Sequence, residues 1–239
     1  MPDNKIEQLK NWILDSNRIV FFGGAGVSTE SGIPDFRGSD GIYQSVEKYP
    51  PEVMLSHSFF LEHTKEFYEF YKNKMIHLGV QPNITHKKLA QIEEEGKLLG
   101  IITQNIDGLH QKAGSKKVIE LHGSIYRNYC MRCNRFYVLD DILQKKDVPF
   151  CSCSGVIKPE VVLYEEPLNE LAIYEAIDLI RQAELLIIGG TSLSVYPAAG
   201  LIRYYKGDQL VMINKEIANY DMEINLLIKS SLGEIFKQL

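Results

Sequence analysis

The sequence has no extended basic segment and no apolar run that approaches the about 20 residues needed to cross a bilayer. Its 26 Lys and Arg residues are outnumbered by 31 Asp and Glu residues, which gives a formal net charge of −5. Basic residues follow one another at most in pairs, so the charge pattern argues against a nucleic-acid partner. The first residues, Met-Pro-Asp-Asn-Lys, lack the apolar core of a secretion signal. We therefore expect a cytoplasmic protein that does not bind membranes.

Low-complexity linkers and internal repeats are also missing from the sequence. With 45% hydrophobic and 24% charged residues, the composition is close to that of an average globular protein. A length of 239 residues fits one α/β domain with a small insert. We therefore expect a single catalytic or binding domain that spans residues 1–239.

Cysteine is scarce, and its four copies lie in one segment. Cys130 and Cys133 form a Cys-x-x-Cys pair, and Cys151 and Cys153 form a Cys-x-Cys pair further on. Two close pairs with this separation indicate a tetrahedral zinc site, in which four thiolates leave no open position for a catalytic water. Free thiols and two disulfides are the alternatives, and disulfides are disfavoured without a secretion signal. We therefore predict one structural zinc ion.

A glycine-rich loop follows the first apolar run. Residues 19–22 (Ile-Val-Phe-Phe) have the pattern of a buried strand, and three glycines follow within residues 23–26. Ser28 and Thr29 can then open a helix whose free N–H groups would bind phosphate. The match to the dinucleotide motif Gly-x-Gly-x-x-Gly is incomplete, because Thr29 occupies the last glycine position. By itself the loop is either a phosphate-binding loop or an ordinary turn between a strand and a helix.

Apolar runs and helical patterns alternate along the chain. Strands are predicted at residues 19–22, 98–103, 118–121, 185–188 and 209–213. An amphipathic helix is predicted to open the chain, and Thr85 is predicted to cap a helix over 86–95. This alternation indicates an α/β fold with a doubly wound parallel sheet of Rossmann type and a smaller zinc-binding and helical domain. The main part would comprise residues 1–38, 76–124 and 157–239, and the smaller domain would comprise the helical insert 39–75 and the zinc segment 125–156.

His122 is the best candidate for a general base, because it stands at a predicted strand end, where ligands bind in open α/β sheets. The sequence offers no open metal site and no Gly-x-Ser-x-Gly nucleophile motif in its place. A single histidine after a strand can also be a hydrogen-bonded core residue, so the residues alone leave both roles open. We expect His86, which has no acidic or cysteine partner nearby in the sequence, to be structural.

Three motifs carry a resemblance to a known family. Residues 24–37 read Gly-Ala-Gly-x-Ser-x-x-Ser-Gly-Ile-Pro-Asp-Phe-Arg, which resembles the signature of the sirtuins, the NAD-dependent protein lysine deacylases. Residues 103–110 (Thr-Gln-Asn-Ile-Asp-Gly-Leu-His) and the Glu-Leu-His-Gly run ending at Gly123 resemble further sirtuin motifs, in the same order. The resemblance extends over essentially the whole chain. Relatives often carry threonine at the position of Gly24, and this departure puts little in doubt.

The resemblance implies an NAD site and an acyl-lysine site. The implied NAD contacts are Ala25, Gly26, Thr29 and Arg37 at the pyrophosphate, Phe36, Asn105, Ile106 and Asp107 at the nicotinamide, and Gln104, Thr191, Ser192 and Asn214 at the riboses and a phosphate, with His122, Lys215 and Leu232 beside them. The implied catalytic residues are His122, Asn105 and Asp107. The implied substrate contacts are Val161, Val162, Tyr164 and Val195, the first three offering backbone to which a peptide adds as a strand.

In the mechanism that the resemblance implies, the acyl oxygen attacks the anomeric carbon of the nicotinamide ribose and nicotinamide leaves. His122 then removes a proton from a ribose hydroxyl, so that the acyl group passes to ADP-ribose and free lysine is released. The partners would be acyl-lysine proteins or peptides, and the oligomeric state stays open. An ADP-ribosyltransferase, an NAD glycohydrolase and a non-catalytic sensor of NAD or ADP-ribose are the alternatives.

Two departures from the family pattern concern the substrate. Residues 163–166 read Leu-Tyr-Glu-Glu where relatives have an aromatic pair and Gly-Glu, so we expect the side chain of Glu165 to disfavour positive φ and to bring charge near the peptide. Lys74 stands three positions after Tyr71, where relatives that prefer succinyl or malonyl lysine carry Tyr-x-x-Arg. Because lysine lacks the bidentate fork of arginine, we expect acetyl and other uncharged acyl groups to be preferred.

Overall fold

The computed structural model describes residues 2–36, 38, 41–44, 48–216 and 223–239. Arg37, one of the residues implied at the pyrophosphate, lies outside the described residues. The described helices are α1 (Pro2–Asp15), α2 (Pro51–Met54), α3 (His57–Glu62), α4 (Thr64–Phe70), α5 (Ile84–Glu94), α6 (Leu109–Ala113), α7 (Leu139–Leu143), α8 (Glu170–Gln182) and α9 (Leu232–Phe236). None of these helices is both long enough and apolar enough to cross a membrane.

The described strands form two sheets. They are β1 (Ile19–Gly23), β2 (Leu98–Thr103), β3 (Val118–Glu120), β4 (Gly123–Cys130), β5 (Phe136–Val138), β6 (Ile157–Val161), β7 (Leu185–Gly189), β8 (Gln209–Asn214) and β9 (Leu226–Lys229). Six of them form a parallel sheet in the order β3-β2-β1-β7-β8-β9. The first strand, β1, is central; β2 and β3 follow it towards one edge, and β7, β8 and β9 then extend the sheet from β1 to the other edge. This is the Rossmann order, in which ligands bind where the direction of building reverses, here between β1 and β7.

Helices cover both faces of the main sheet because its strands are apolar on both sides. In β1, Phe21 points into one core and Phe22 into the other, and neither is accessible to solvent. Helices α1, α5 and α9 supply the first core, and α8 with the 3-10 segment Ala198–Tyr204 supplies the second. Each strand predicted from an apolar run is present, and the predicted doubly wound parallel fold is confirmed.

A third apolar core holds the smaller part of the fold. It joins aromatic residues of the helical insert, such as Phe60 and Tyr71, to residues of the three-stranded sheet β5-β4-β6, such as Ile125 and Ile157. The predicted zinc-binding and helical unit is therefore one packed cluster. Strand β6, which the sequence prediction placed in the main part, pairs with β4, so this small sheet crosses the predicted boundary at residue 157.

Two local predictions were wrong. The glycine loop does not run into an α-helix, because only the 3-10 turns Ala25–Val27 and Thr29–Ser31 form before Gly32 takes a φ of 89°. Thr85 does not cap the next helix, because α5 begins at Ile84, two residues before the predicted start, and Asn83 is its N-cap. The side chain of Asn83 accepts hydrogen bonds from the N–H groups of Thr85 and His86, while its own N–H donates to the ring of His86. The structural role expected for His86 is confirmed in this cap.

Candidate functional site

The glycine loop meets the end of β7 at the point where the direction of the sheet reverses. Gly23 and Gly189 end the paired strands β1 and β7 in the same register. The N–H of Gly26 then donates to the carbonyl of Gly190 over 2.8 Å. A Cβ atom at Gly26 would lie 2.7 Å from the Cα of Gly190, so a side chain here would separate the two loops. The glycines thus bring two backbone loops together at the floor of a cavity.

This cavity has a volume of about 800 Å³, which is within the usual range for ligand sites. Every described residue to which the sequence assigns an NAD, catalytic or substrate contact lines it: Ala25, Gly26, Thr29, Phe36, Gln104, Asn105, Ile106, Asp107, His122, Val161, Val162, Tyr164, Thr191, Ser192, Val195, Asn214, Lys215 and Leu232. The fold therefore brings residues from both ends of the sequence into one continuous space. Their individual roles stay predictions.

Ser28 connects the glycine loop to the segment after β2. Its hydroxyl donates to Oδ2 of Asp107 over 2.6 Å and accepts from Nδ2 of Asn105 over 3.1 Å. The other carboxylate oxygen of Asp107 accepts from the N–H of Leu109 over 2.9 Å. Because Ser28 is buried, its hydroxyl is shielded from solvent and depends on these protein partners. One hydroxyl therefore holds both polar residues that the sequence implies at the nicotinamide.

The Asp107 carboxyl is in a site that disfavours its charge. Burial raises its pKa above the ordinary value, while the hydrogen bonds from Ser28 and Leu109 and the nearby His77 oppose this shift. The net direction is upward, because the loss of hydration outweighs the two hydrogen bonds. A carboxylate held at this cost is typical of functional sites.

His122 follows β3 and is held from one side. Its Nδ1 lies 3.0 Å from the carbonyl oxygen of Gln104, which has no proton to give, so Nδ1 carries the hydrogen. The Nε2 atom of the neutral ring is then left with its lone pair. Burial lowers the pKa of His122, and the hydrogen bond to Gln104 opposes this shift. The imidazole is therefore neutral at neutral pH, with one nitrogen able to accept a proton.

Polar side chains that follow β2 and β7, and one that ends β8, bind one another beside the glycine loop. Nε2 of Gln104 donates to the hydroxyl of Thr191 over 3.0 Å. The side chain of Asn214 accepts from the N–H of Thr191 over 3.2 Å and donates to its carbonyl over 2.8 Å. Asn214 is buried and both ends of its amide bind Thr191, so it shapes the loop after β7. Its implied contact to a ribose stays a prediction.

The segment after β6 is bound to the helical insert. The N–H of Tyr164 donates to the carbonyl of Leu55, and its carbonyl accepts from the N–H of His57, both over 3.0 Å. Both backbone groups of Tyr164 therefore already have partners within the fold, and its implied contact to a peptide stays a prediction. Its hydroxyl lies 2.6 Å from that of Tyr43, whose ring packs edge-on against Phe36 at 5.7 Å. Tyr164 thus links the segment after β6 to the loop after the glycines.

The next two residues also contact the helical insert. Glu166 binds His57 over 2.7 Å and Lys158 over 3.0 Å, and accepts from the N–H of Leu163 over 2.9 Å. Glu165 has a φ of 75°, in the left-handed region. Glu165 therefore adopts positive φ although its side chain disfavours this conformation, and its carboxylate binds Ser58.

The four cysteines lie together at one end of the small sheet, Cys130 as the last residue of β4 and the others in the turns beside it, and none of them lines the cavity. Their sulfur atoms are all within 4.8 Å of one another. The Sγ atoms of Cys130 and Cys153 are 3.4 Å apart, and those of Cys133 and Cys151 are 3.6 Å apart. Zn–S bonds of about 2.3 Å in a tetrahedron would place the sulfurs roughly 3.8 Å apart. The thiols are therefore positioned to bind one zinc ion, and the Cys-x-Cys spacing does not prevent this.

Sequence reasoning missed several residues at the cavity. They are Ser28, Ile33, Lys74, Met75 and His77, of which Lys74 was considered only for acyl preference. Tyr71, its expected neighbour, is fully buried and stacked on Phe67, away from the cavity lining. Ser28 lies inside the recognised motif, but its hydrogen bonds join it to Asn105 and Asp107 from another part of the chain, and the motif itself gives no signal of them. Lys74 and Met75 belong to the helical insert and His77 follows it, and the sequence does not specify how the insert packs; Ile33 lies in the loop after the glycines.

The geometry agrees with the comparisons. The model of the Sir2 family matches residues 24–197. An NAD-dependent protein deacetylase of Clostridium acetobutylicum is 55% identical over 238 residues, which cover 98% of this chain and 97% of the relative. A Sir2 structure with a p53 peptide and NAD+ is 39% identical, with a TM-score of 0.86 and coverage of 98% of this chain and 96% of that one.

A second Sir2 structure holds an inhibitor, 2'-O-acetyl-ADP-ribose and a deacetylated p53 peptide. It is 38% identical, with a TM-score of 0.85 and coverage of 97% of this chain and 96% of that one. Sequence and fold thus agree over nearly the full length of each protein. Because the family model spans most of the chain and the relative matches it almost from end to end, this chain belongs to the Sir2 family.

Proposed function

We propose that this protein is an NAD-dependent protein deacylase, which removes acetyl and other uncharged acyl groups from lysine side chains. The observation that carries the proposal is a single cavity lined by the glycine loop, by His122 and by the segment after β6. A reaction that joins a nucleotide to an acyl-lysine needs both ligands in one space with a base between them. The named relative and the two structures described above support the same reaction.

The donor set of the cavity fits NAD. Gln104, Thr191 and Ser192 offer amide and hydroxyl groups of the kind that bind ribose and phosphate, and Phe36 and Ile106 offer apolar surface beside Asp107. When bound, NAD supplies the ribose that receives the acyl group, with release of nicotinamide. The hydrogen bonds of Ser28 orient Asn105 and Asp107 before any ligand arrives, so these side chains need little rearrangement to bind it.

His122 acts as the general base in this proposal. Its Nδ1 is fixed on the carbonyl of Gln104, so the Nε2 lone pair is the group that takes a proton from a hydroxyl. Burial lowers the pKa of His122, which keeps the ring in the proton-accepting form at neutral pH. A positioned base of this kind contributes about 10²–10⁴-fold to a rate.

The four thiolates would hold zinc as a structural ion. The tetrahedral spacing of their sulfurs fits this ion, and four protein ligands leave no place for a water on the metal. We also propose the two-part organisation predicted from the sequence, which the separate third core supports. A cytoplasmic location is part of the proposal as well, supported by a thiol cluster that persists in a reducing compartment.

The experiment is mass spectrometry of an acetyl-lysine peptide incubated with the protein and NAD. We expect deacetylated peptide, nicotinamide and O-acetyl-ADP-ribose in equal amounts. His122→Ala should bind NAD within a few fold of the wild type and lose turnover by about 10²-fold or more, because the base acts after binding. His63→Ala, which removes a half-buried histidine outside the cavity, is the matched control and should keep full activity.

Each alternative has its own outcome in the same assay. Free ADP-ribose without deacetylated peptide would indicate an NAD glycohydrolase, and ADP-ribosylated peptide would indicate a transferase. NAD binding without any turnover would indicate a sensor. Unchanged turnover in His122→Ala would contradict the role of this histidine even if the deacylase activity is found.

A further inference from the structure

Glu165 lines the cavity, and the residues on either side of it make backbone hydrogen bonds within the fold. The backbone of Tyr164 is held by Leu55 and His57, and the N–H of Glu166 donates to the carbonyl of Leu163. Glu165 is exposed, and neither its backbone N–H nor its carbonyl has a hydrogen-bond partner among the described residues. The carbonyl of Val162 is likewise without one in the described part of the chain. An extended peptide that enters the cavity would find its backbone partners at these two residues.

The orientation of these free groups depends on an unfavourable backbone conformation. Glu165 has a φ of 75°, which residues other than glycine, asparagine and aspartate rarely adopt. Rotation to negative φ would turn the N–H and the carbonyl of Glu165 to new directions while Tyr164 and Glu166 stay bound. The segment therefore needs an interaction that keeps this one residue in the left-handed region.

The side chain of Glu165 provides such an interaction. One carboxylate oxygen accepts from the N–H of Ser58 over 2.9 Å, and the other accepts from the Ser58 hydroxyl over 3.0 Å. Ser58 belongs to α3, and the residue before it holds Tyr164. The carboxylate thus binds the same part of the helical insert that holds the neighbouring backbone. These two hydrogen bonds oppose the return of Glu165 to negative φ.

We propose that Glu165 is a positioning residue for the substrate peptide, because its carboxylate binds Ser58 and so keeps its own N–H and carbonyl directed at the cavity. This inference rests on the proposed function, since it requires that a peptide binds here. A glycine would reach the same φ without a side chain. Positive φ at this position can therefore be reached either with the hydrogen bonds between the Glu165 carboxylate and Ser58, which we call the tether, or with a glycine, and variants can separate the two.

The test compares Glu165→Ala, Glu165→Gly and Glu165→Gln in steady-state deacetylation, with KM for peptide and for NAD measured separately. Alanine removes the tether and keeps the cost of positive φ, so we expect the peptide KM to rise about 5-fold or more. Glycine removes the tether and also the cost of positive φ, so the peptide KM should return to within about 2-fold of the wild type. Glutamine keeps an oxygen acceptor for Ser58 and should remain close to the wild type.

The NAD KM should be unchanged in all three variants, which separates positioning of the peptide from damage to the fold. Glu62→Ala, an exposed glutamate of α3 outside the cavity lining, is the matched control. An Ala variant with the peptide KM of the wild type would overturn the inference. A Gly variant whose peptide KM is raised as much as that of the Ala variant would also overturn it. So would a Gln variant with the same rise, since that result would assign the effect to the charge of Glu165. A wild-type protein that releases no deacetylated peptide would instead refute the proposed function, and the inference with it.

Discussion

The hydroxyl of Ser28 can be tested by Ser28→Ala, which removes one oxygen from a buried site. Ser28 is 1% exposed and makes two hydrogen bonds, one to the Asp107 carboxylate and one from the Asn105 amide. A hydrogen bond to a charged group contributes about 1.5–3 kcal/mol and a neutral one about 0.5–1.5 kcal/mol. The free energy of unfolding should therefore fall by about 2–4 kcal/mol. For a chain of this size the melting temperature should fall by roughly 4–16 °C.

The loss of unfolding free energy in Ser28→Ala should be larger at neutral pH than in acid. Burial already places the folded-state pKa of Asp107 above its ordinary value, and the Ser28 hydroxyl opposes that shift, so the variant should raise the pKa further. A group with a raised folded pKa contributes stability that is present below its unfolded pKa and lost as the pH rises through its folded pKa. The difference between wild type and variant should therefore be small in acid and grow towards neutral pH.

Urea unfolding of both proteins at pH 5 and pH 8 measures this difference, together with the NAD KM of each. Ser16→Ala is the matched control, because Ser16 is also buried but makes one long hydrogen bond of 3.3 Å to Gln209, far from the cavity lining. We expect the control to lose less than about 1 kcal/mol and to keep its NAD KM. A Ser28 variant no less stable than this control, or one with an equal loss at both pH values, would refute the reasoning.

Three further predictions concern the zinc site, the segment after β6 and the acyl group. Cys151→Ser or chelation should lower the melting temperature together with any loss of activity, because a closed thiolate site contributes folding energy; lost activity with unchanged melting would contradict a structural role. Burial raises the pKa of Glu166, but the hydrogen bonds from Leu163 and His57 and the charge of Lys158 lower it, and the net shift is downward. The charged form of Glu166 therefore stabilises the fold above the unfolded pKa, and this contribution is lost as the pH falls through the folded pKa. Glu166→Gln should thus lower the free energy of unfolding by about 1–3 kcal/mol at pH 7 and by less at pH 4, as measured by urea unfolding. Acetyl and butyryl peptides should show higher kcat/KM than a succinyl peptide, and a succinyl preference that disappears in Lys74→Ala would show that this cavity residue binds a carboxylate.

The main sheet was predictable because each of its buried strands is recognisable from its own residues. Strands buried on both faces are continuous apolar runs, so β1, β2 and β7 stand out in the sequence without knowledge of their neighbours. Strands β4 and β6 were missed for the opposite reason. Their residues include Arg127, Asn128, Lys158 and Glu160, which interrupt any apolar run, and they form a sheet only because each pairs with the other.

The candidate site was predictable where its residues are contiguous and not where they meet across the fold. Asn105 and Asp107 were recognised within one motif that follows a strand. The role of Ser28 requires that β1 and β2 be neighbours, since only then do residues 28 and 107 lie within 2.6 Å. His77 acts on the same carboxyl only through electrostatics, from a position just after the helical insert, where the sequence shows that helices form and not how they pack.

Glu165 shows why a rule about one residue type fails when a long-range contact opposes it. Positive φ costs a residue with a Cβ about 1–2 kcal/mol, and from the sequence nothing offsets that cost. Two hydrogen bonds to a carboxylate, each contributing about 1 kcal/mol at an exposed site, are of the same size. Their donor, Ser58, is in another part of the chain and comes within reach only because Leu55 and His57 bind Tyr164. The conformation of Glu165 is therefore a property of the contact between α3 and the segment after β6, and a variant that breaks that contact should release it.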